Sequence, residues 1–142
     1  MSRARILLVD DDEKLRRILT LRLEAEGFAV VAASTGDEAL SRLVEARPQM
    51  VLADLKMPGM DGIELLYQAH KAYPTLPRLM LTAHHDEELV RRAIADAFVD
   101  QFIPKMVEPA EFLQLLEGFL TTHRFEPTLR PPGPGSWPQA HP

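Results

Sequence analysis

The chain has 142 residues, room for one ordinary domain and not for two. Its 46% hydrophobic and 26% charged residues fit a water-soluble globular protein, and its zero cysteines exclude disulfides, thiolate metal sites and a cysteine nucleophile. A net charge of −5 disfavours a general nucleic-acid surface, and no apolar run approaches the roughly 20 residues of a membrane span. The charged start Met1-Ser2-Arg3-Ala4-Arg5 leads into too few apolar residues for a secretory signal, so the cytoplasm is the expected compartment.

Ile6-Leu7-Leu8-Val9 is an unbroken apolar run closed by acids, as in a strand buried on both faces. Leu15, Ile18, Leu19 and Leu23 recur at helical spacing, and Gly27 supplies the stop. Phe28–Ala33 reads as the second strand. Thr35 and Glu38 form a capping box before a helix carrying Leu40, Leu43 and Val44. Met50–Ala53 is the third strand, and Ile63, Leu65, Leu66, Ala69 and Tyr73 line the helix after it. Arg78–Leu81 is the fourth strand, followed by a helix with Leu89, Val90, Ala93 and Ile94. Phe98–Ile103 reads as the fifth strand, its start blurred by Asp96 and Asp100. Pro109 suits the first turn of a last helix bearing Phe112, Leu113, Leu116, Phe119 and Leu120. Composition then changes: six of the twelve prolines lie in Pro127–Pro142, with Gly133, Gly135, Ser136 and a lone Trp137. Residues 121–142 therefore read as a disordered tail or a truncated linker, and residues 1–120 as the domain.

Five strand–helix alternations predict a parallel sheet with helices on both faces, and ligands of such sheets bind beyond the carboxyl ends of the strands. Strand one ends in Asp10-Asp11-Asp12-Glu13, strand three in Asp54, strand four in Thr82, and strand five leads to Lys105. Alone, Asp10–Glu13 reads first as a solvated run capping the first helix. Asp54 and Lys105 at equivalent strand ends turn the balance toward a site. Two carboxylates ~5 Å apart at an effective dielectric of ~20 repel by roughly 3 kcal/mol, so such a cluster calls for a cation. Oxygen-only donors suit Mg²⁺. Given a phosphoryl donor, Asp54 is able to attack phosphorus, Lys105 to offset charge on the moving oxygens, and Thr82 to donate its hydroxyl. No glycine-rich phosphate cradle points to a nucleotide.

The runs Leu7-Leu8-Val9-Asp10-Asp11-Asp12, Asp54-Leu55-Lys56-Met57-Pro58-Gly59-Met60-Asp61-Gly62, Leu81-Thr82-Ala83-His84 and Ile103-Pro104-Lys105 resemble the receiver domain of two-component response regulators. The likeness covers residues 4–120, and its wording is most similar to receivers of the nitrogen-regulatory class. The resemblance implies an α/β, flavodoxin-like, doubly wound five-stranded parallel sheet of order 2-1-3-4-5. It implies that Asp54 accepts a phosphoryl group from the phosphohistidine of a sensor histidine kinase or phosphotransfer protein. Asp11, Asp54 and the backbone carbonyl of Lys56 would bind Mg²⁺, with Asp10 acting mainly through a metal-bound water. Thr82 and Lys105 would hold the phosphoryl oxygens. Phe102 matches the family's switch aromatic, although a plain core role fits it too. Lys56 and His84 match positions that tune loss of the phosphoryl group, or are simply exposed. Signalling would pass to an unknown effector protein through the repacked face of the fourth helix, fifth strand and fifth helix, a face that also offers homodimerisation.

Three features depart from the family's pattern. Met106 stands where proline usually follows the lysine, which favours a trans Lys105–Met106 bond. The glycine usual before the fifth strand is absent. No output domain follows residue 120, so a stand-alone switch is expected, with no direct binding to nucleic acid or membrane. The alternative is the receiver part of a longer DNA-binding transcription regulator. An enzyme with turnover is disfavoured: Asp10-x-Asp12 is similar to haloacid-dehalogenase-type phosphatases, but that scheme leaves Asp54 unexplained. The expected chemistry is single-site self-phosphorylation and self-dephosphorylation. Without metal, Asp54 is expected to contribute nothing to stability.

Overall fold

A computed structural model describes residues 4–82, 87–96, 98–105 and 108–122. Strands β1 (Arg5–Val9), β2 (Ala29–Ala33), β3 (Met50–Asp54), β4 (Arg78–Thr82) and β5 (Gln101–Pro104) alternate with helices α1 (Glu13–Ala25), α2 (Gly36–Ala46), α3 (Gly62–Ala72), α4 (Glu87–Ala95) and α5 (Pro109–Thr122). The strands form one all-parallel sheet in the order β2-β1-β3-β4-β5, the flavodoxin-like doubly wound arrangement expected from the sequence.

Strand side chains alternate between two cores. Leu7, Val9, Val51, Ala53 and Met80 pack with α2, α3 and Ala93 of α4, whereas Ile6, Leu8, Leu52, Leu79, Leu81 and Ile103 pack with α1 and α5. The central strands are buried on both faces, which is why they read as unbroken apolar runs.

Helix ends follow local chemistry. The Asp12, Thr35 and Asp61 side chains accept the N–H groups of Leu15, Glu38 and Glu64 at the starts of α1, α2 and α3. The expected capping box is displaced by one residue, because Glu38 accepts from the N–H and hydroxyl of Ser34. Gly27 stops α1 in the left-handed region (φ 94°), with its N–H bonded to Glu24 O and that of Phe28 to Leu23 O. That second bond takes Phe28 out of the strand predicted over Phe28–Ala33, and β2 begins at Ala29.

Two further expectations are corrected. Ile18 and Val44 are exposed, since α1 buries Leu19 and Leu23 and α2 buries Gly36, Ala39 and Leu43. The fifth strand starts at Gln101, not Phe98, because the preceding residues are held elsewhere. Phe98 N–H bonds to Ala93 O, its carbonyl accepts from Arg78 Nε at 3.0 Å, and Asp100 Oδ2 accepts from Arg78 N–H at 2.7 Å. Arg78, 3% exposed, also donates from Nη1 to the carbonyls of Leu76 and Pro74. His84, the Lys105–Met106 bond and Trp137 lie outside the described residues.

Candidate functional site at the carboxyl edge of the sheet

Register brings the acids together. Val9 of β1 pairs with Ala53 of β3, so Asp10 and Asp54 leave the sheet at the same level on neighbouring strands. Asp11 follows in the loop, and one carboxylate oxygen from each of Asp10, Asp11 and Asp54 lies within 4.8 Å of the others. Thr82, buried, stands one residue beyond Leu81, the β4 partner of Asp54. Lys105 leaves β5 just after Pro104, the partner of Thr82, and its N–H bonds to Thr82 O at 2.8 Å. The Lys105 Nζ reaches Asp54 Oδ1 at 3.1 Å. Asp54 thus has an ion-pair partner in the metal-free protein, one whose effect on its charge is outweighed by burial.

Burial sets the electrostatics. Desolvation pushes the Asp10 carboxyl up from 3.8 to about 6, against the lowering by the Asp12 N–H, with the charges of Asp54 and Asp11 adding to the rise. Asp10 Oδ1 accepts that N–H at 2.9 Å, while Asp10 Oδ2 is buried with no hydrogen-bond partner. Desolvation also raises Asp54, outweighing the lowering by Lys105 and by the backbone N–H of Lys56. A buried carboxylate oxygen without a donor, on a residue clustered with two further carboxylates, fits a bound cation. The all-oxygen donor set suits a hard divalent ion such as Mg²⁺.

The floor of the site needs glycine. A Cβ on Gly62 would lie 2.2 Å from the Asp54 carbonyl oxygen, and Gly62 N–H bonds to Leu55 O at 2.8 Å. Lys56, exposed, borders a cleft of about 470 Å³ together with Leu55, Met57, Pro58, Asp61 and Ile63. Phe102 is half-buried, pairs in register with Met80, and packs in the same core as Met80, two residues before Thr82. Thus Asp10, Asp11, Asp54, Thr82 and Lys105 meet at one edge, Lys56 lines its side, and Phe102 lies below. Reading the sequence alone missed Arg16, whose Nη1 donates to Asp10 O at 2.7 Å. A spacing of six residues from the first aspartate was its only signal.

A doubly wound parallel sheet with an acidic cluster and a lysine at its carboxyl edge defines an α/β domain of the flavodoxin-like class. The response regulator receiver domain family matches residues 6–117, and the chain belongs to that family. It is 39% identical over 119 residues to the transcriptional regulatory protein ResD of Bacillus subtilis, covering 84% of this chain and 49% of ResD. It is 34% identical over 117 residues to the DNA-binding transcriptional regulator NtrC of Salmonella typhimurium, covering 82% of this chain and 25% of NtrC, which agrees with the nitrogen-regulatory wording of its motifs. Among solved structures, the CheY-like receiver domain protein of Methanospirillum hungatei superposes with a TM-score of 0.77 at 33% identity, covering 87% of this chain and 98% of that one. The chain therefore spans about half of ResD and a quarter of NtrC. Among the described residues, no helix is long and apolar enough to cross a membrane.

Proposed function

We propose that the chain is a phosphorylation-dependent switch of a cytoplasmic two-component phosphorelay, with Asp54 as phosphoacceptor. The observation that carries this is the convergence of three carboxylates and Lys105 on one sheet edge, where Asp10 and Asp54 are ionised only against their burial. An Asp54 carboxylate oxygen forms the new O–P bond. The P–N bond of the donor's phosphohistidine breaks, and its electron pair returns to the imidazole, which takes a proton. Asp11, Asp54 and the Lys56 carbonyl would hold Mg²⁺, with Asp10 acting through water, and a bound ion supplies charge neutralisation at the phosphoryl oxygens.

The chain's own residues do the rest. Lys105, held beside Asp54, is the cation for the transferred oxygens, and the Thr82 hydroxyl donates to one of them. Thr82 drawn inward leaves room for Phe102 on the same face of β4 and β5, which repacks the α4-β5-α5 surface. Moving such a switch from 1% to 99% takes about 5.5 kcal/mol of differential stabilisation, within reach of a few charge-assisted contacts. Lys56 and His84, the latter outside the described residues, would tune the rate at which the phosphoryl group is lost to water. The chemistry is single-site, with residues 1–120 as the receiver, residues 121–142 as a tail or linker, and an effector protein or a second copy as reader.

Intact mass after incubation with acetyl phosphate and Mg²⁺ tests this. A labile gain of one phosphoryl group, absent from Asp54→Asn and from a chelated sample, is expected. Gain in Asp54→Asn would refute the acceptor. A second reading, the receiver part of a DNA-binding regulator, is favoured by the names and lengths of ResD and NtrC. An antibody against residues 1–120, applied to extracts of the native cell, separates the two by the size of the band.

A further inference from the structure

We infer that Arg16 is a positioning residue for the acidic cluster: its guanidinium fixes the peptide that joins Asp10 to Asp11 and so sets the direction from which Asp11 reaches the cation site. The inference rests on the reading of the cluster as a Mg²⁺ site.

Asp10 is fully buried and lies one residue past the last β1 pair, where the ladder with β3 has ended. Its N–H is taken by Ala33 O at the end of β2. Its carbonyl needs a partner of its own, because a buried main-chain acceptor left unpaired is costly. Arg16 Nη1 supplies one at 2.7 Å from a part-buried side chain. That carbonyl belongs to the Asp10–Asp11 peptide plane, so holding it fixes ψ of Asp10 and φ of Asp11 together. The Asp10 carboxylate is oriented separately, through the Asp12 N–H. Asp11 is the exposed member of the cluster, and the plane that Arg16 grips decides where it points.

Helix stability does not explain this arginine. Arg16 sits in the first turn of α1, where the dipole disfavours a cation. Its neighbour Arg17 turns outward to an exposed pair with Glu13 at 3.9 Å, while Arg16 folds back over the loop. The two arginines thus separate charge from position. Removing either cation lowers the positive charge near an anionic site, which on Coulomb's law alone tightens cation binding. Only Arg16 holds the Asp10–Asp11 peptide, so only its removal loosens the site.

Calorimetric titration with Mg²⁺ alone, on the full chain and on Arg16→Met, Arg16→Lys and Arg17→Met, reads the difference. Amide chemical shifts of Asp10, Asp11 and Asp12 in the metal-free proteins provide a second readout. Arg16→Met is expected to weaken Mg²⁺ binding about tenfold, the low end for loss of an outer partner of a metal site. Its Asp11 amide should shift before any metal is added. Arg16→Lys, whose ammonium can still donate to the carbonyl, should lose less, and Arg17→Met should bind as well as the parent or better. Unchanged or tighter binding by both Arg16 variants, or equal changes in Arg16→Met and Arg17→Met, overturns the inference and leaves the Mg²⁺ reading intact. Absence of saturable Mg²⁺ binding in the parent overturns both.

Discussion

Replacing Asp10 by asparagine should stabilise the metal-free protein at neutral pH. Burial raises the Asp10 carboxyl from 3.8 to about 6, so the native state holds its proton to higher pH than the unfolded chain does. Between those values the native state binds more protons, and stability falls as pH rises. The contribution is fully present below about pH 4, is lost through about pH 6, and is flat above. At 1.36 kcal/mol per unit, a rise of about two units corresponds to about 3 kcal/mol. Asparagine keeps an acceptor for the Asp12 N–H and places an amide donor at the unpartnered Oδ2, in a residue clustered with Asp11 and Asp54. Asp10→Asn should therefore match the parent near pH 4 and exceed it by up to about 3 kcal/mol at pH 7.5. Urea unfolding at both pH values, with chelator present, measures this. Asp54, raised as well, should leave a smaller residual slope in the variant. A variant no more stable than the parent at pH 7.5, or a gap as large at pH 4, would mean that desolvation of Asp10 is not what strains the site.

Two other substitutions probe the frame. Arg78→Met strips a buried guanidinium from the carbonyls of Phe98, Leu76 and Pro74 and should cost about 3–5 kcal/mol in urea unfolding; a loss below about 1 kcal/mol would show that water replaces it. Gly62→Ala drives a Cβ to 2.2 Å from the Asp54 carbonyl, which is backbone, whereas Gly36→Ala meets the Met60 side chain, at 2.8 Å from Sδ and 2.9 Å from Cβ. Thermal melts should show Gly62→Ala losing about 3 kcal/mol or more and Gly36→Ala less, about 1–2 kcal/mol. Equal losses would contradict the assigned contacts.

The sheet was legible because β1, β3 and β4 are buried on both faces, and such strands write themselves as apolar runs closed by polar residues. The site was legible for a related reason: residues that end neighbouring parallel strands must meet, and here those are Asp10, Asp54, Thr82 and Lys105, to which the proposed function gives the chemistry. What stayed hidden depends on contacts between distant residues. The start of β5 is decided by Arg78, 20 residues before Phe98, and a charged residue opening an apolar run gives no sign that its guanidinium turns inward. Phe28 left its strand for one hydrogen bond to Leu23 O. Ile18 and Val44 fit the helical period but fall outside the arcs that face the sheet, which α1 and α2 fill with Leu19, Leu23, Ala39 and Leu43.

The same contacts explain how a change at Thr82 would travel. The β5 segment is fixed at its start, where Asp100 N–H bonds to Arg78 O, its carboxylate takes the Arg78 main-chain N–H, and Arg78 Nε donates to Phe98 O. Just beyond its end, Lys105 N–H is bonded to Thr82 O. Phe102 lies between these two ties, opposite Met80. A strand anchored at both ends cannot slide to follow an inward movement of Thr82. The displacement must be taken up by side chains between the ties, and Phe102, half-buried beside the core that holds Met80 and Ala93, is the large one on the Thr82 face. On the proposed reading, the arginine at the amino edge of the sheet thus helps direct a charge change at the carboxyl edge into a ring movement. Arg78→Met keeps the main-chain bonds to Asp100 but removes the Nε bond to Phe98 O, and should spread phosphorylation-induced hydrogen-exchange changes over residues 98–101. In the parent those residues should stay protected while the exchange changes concentrate on α4.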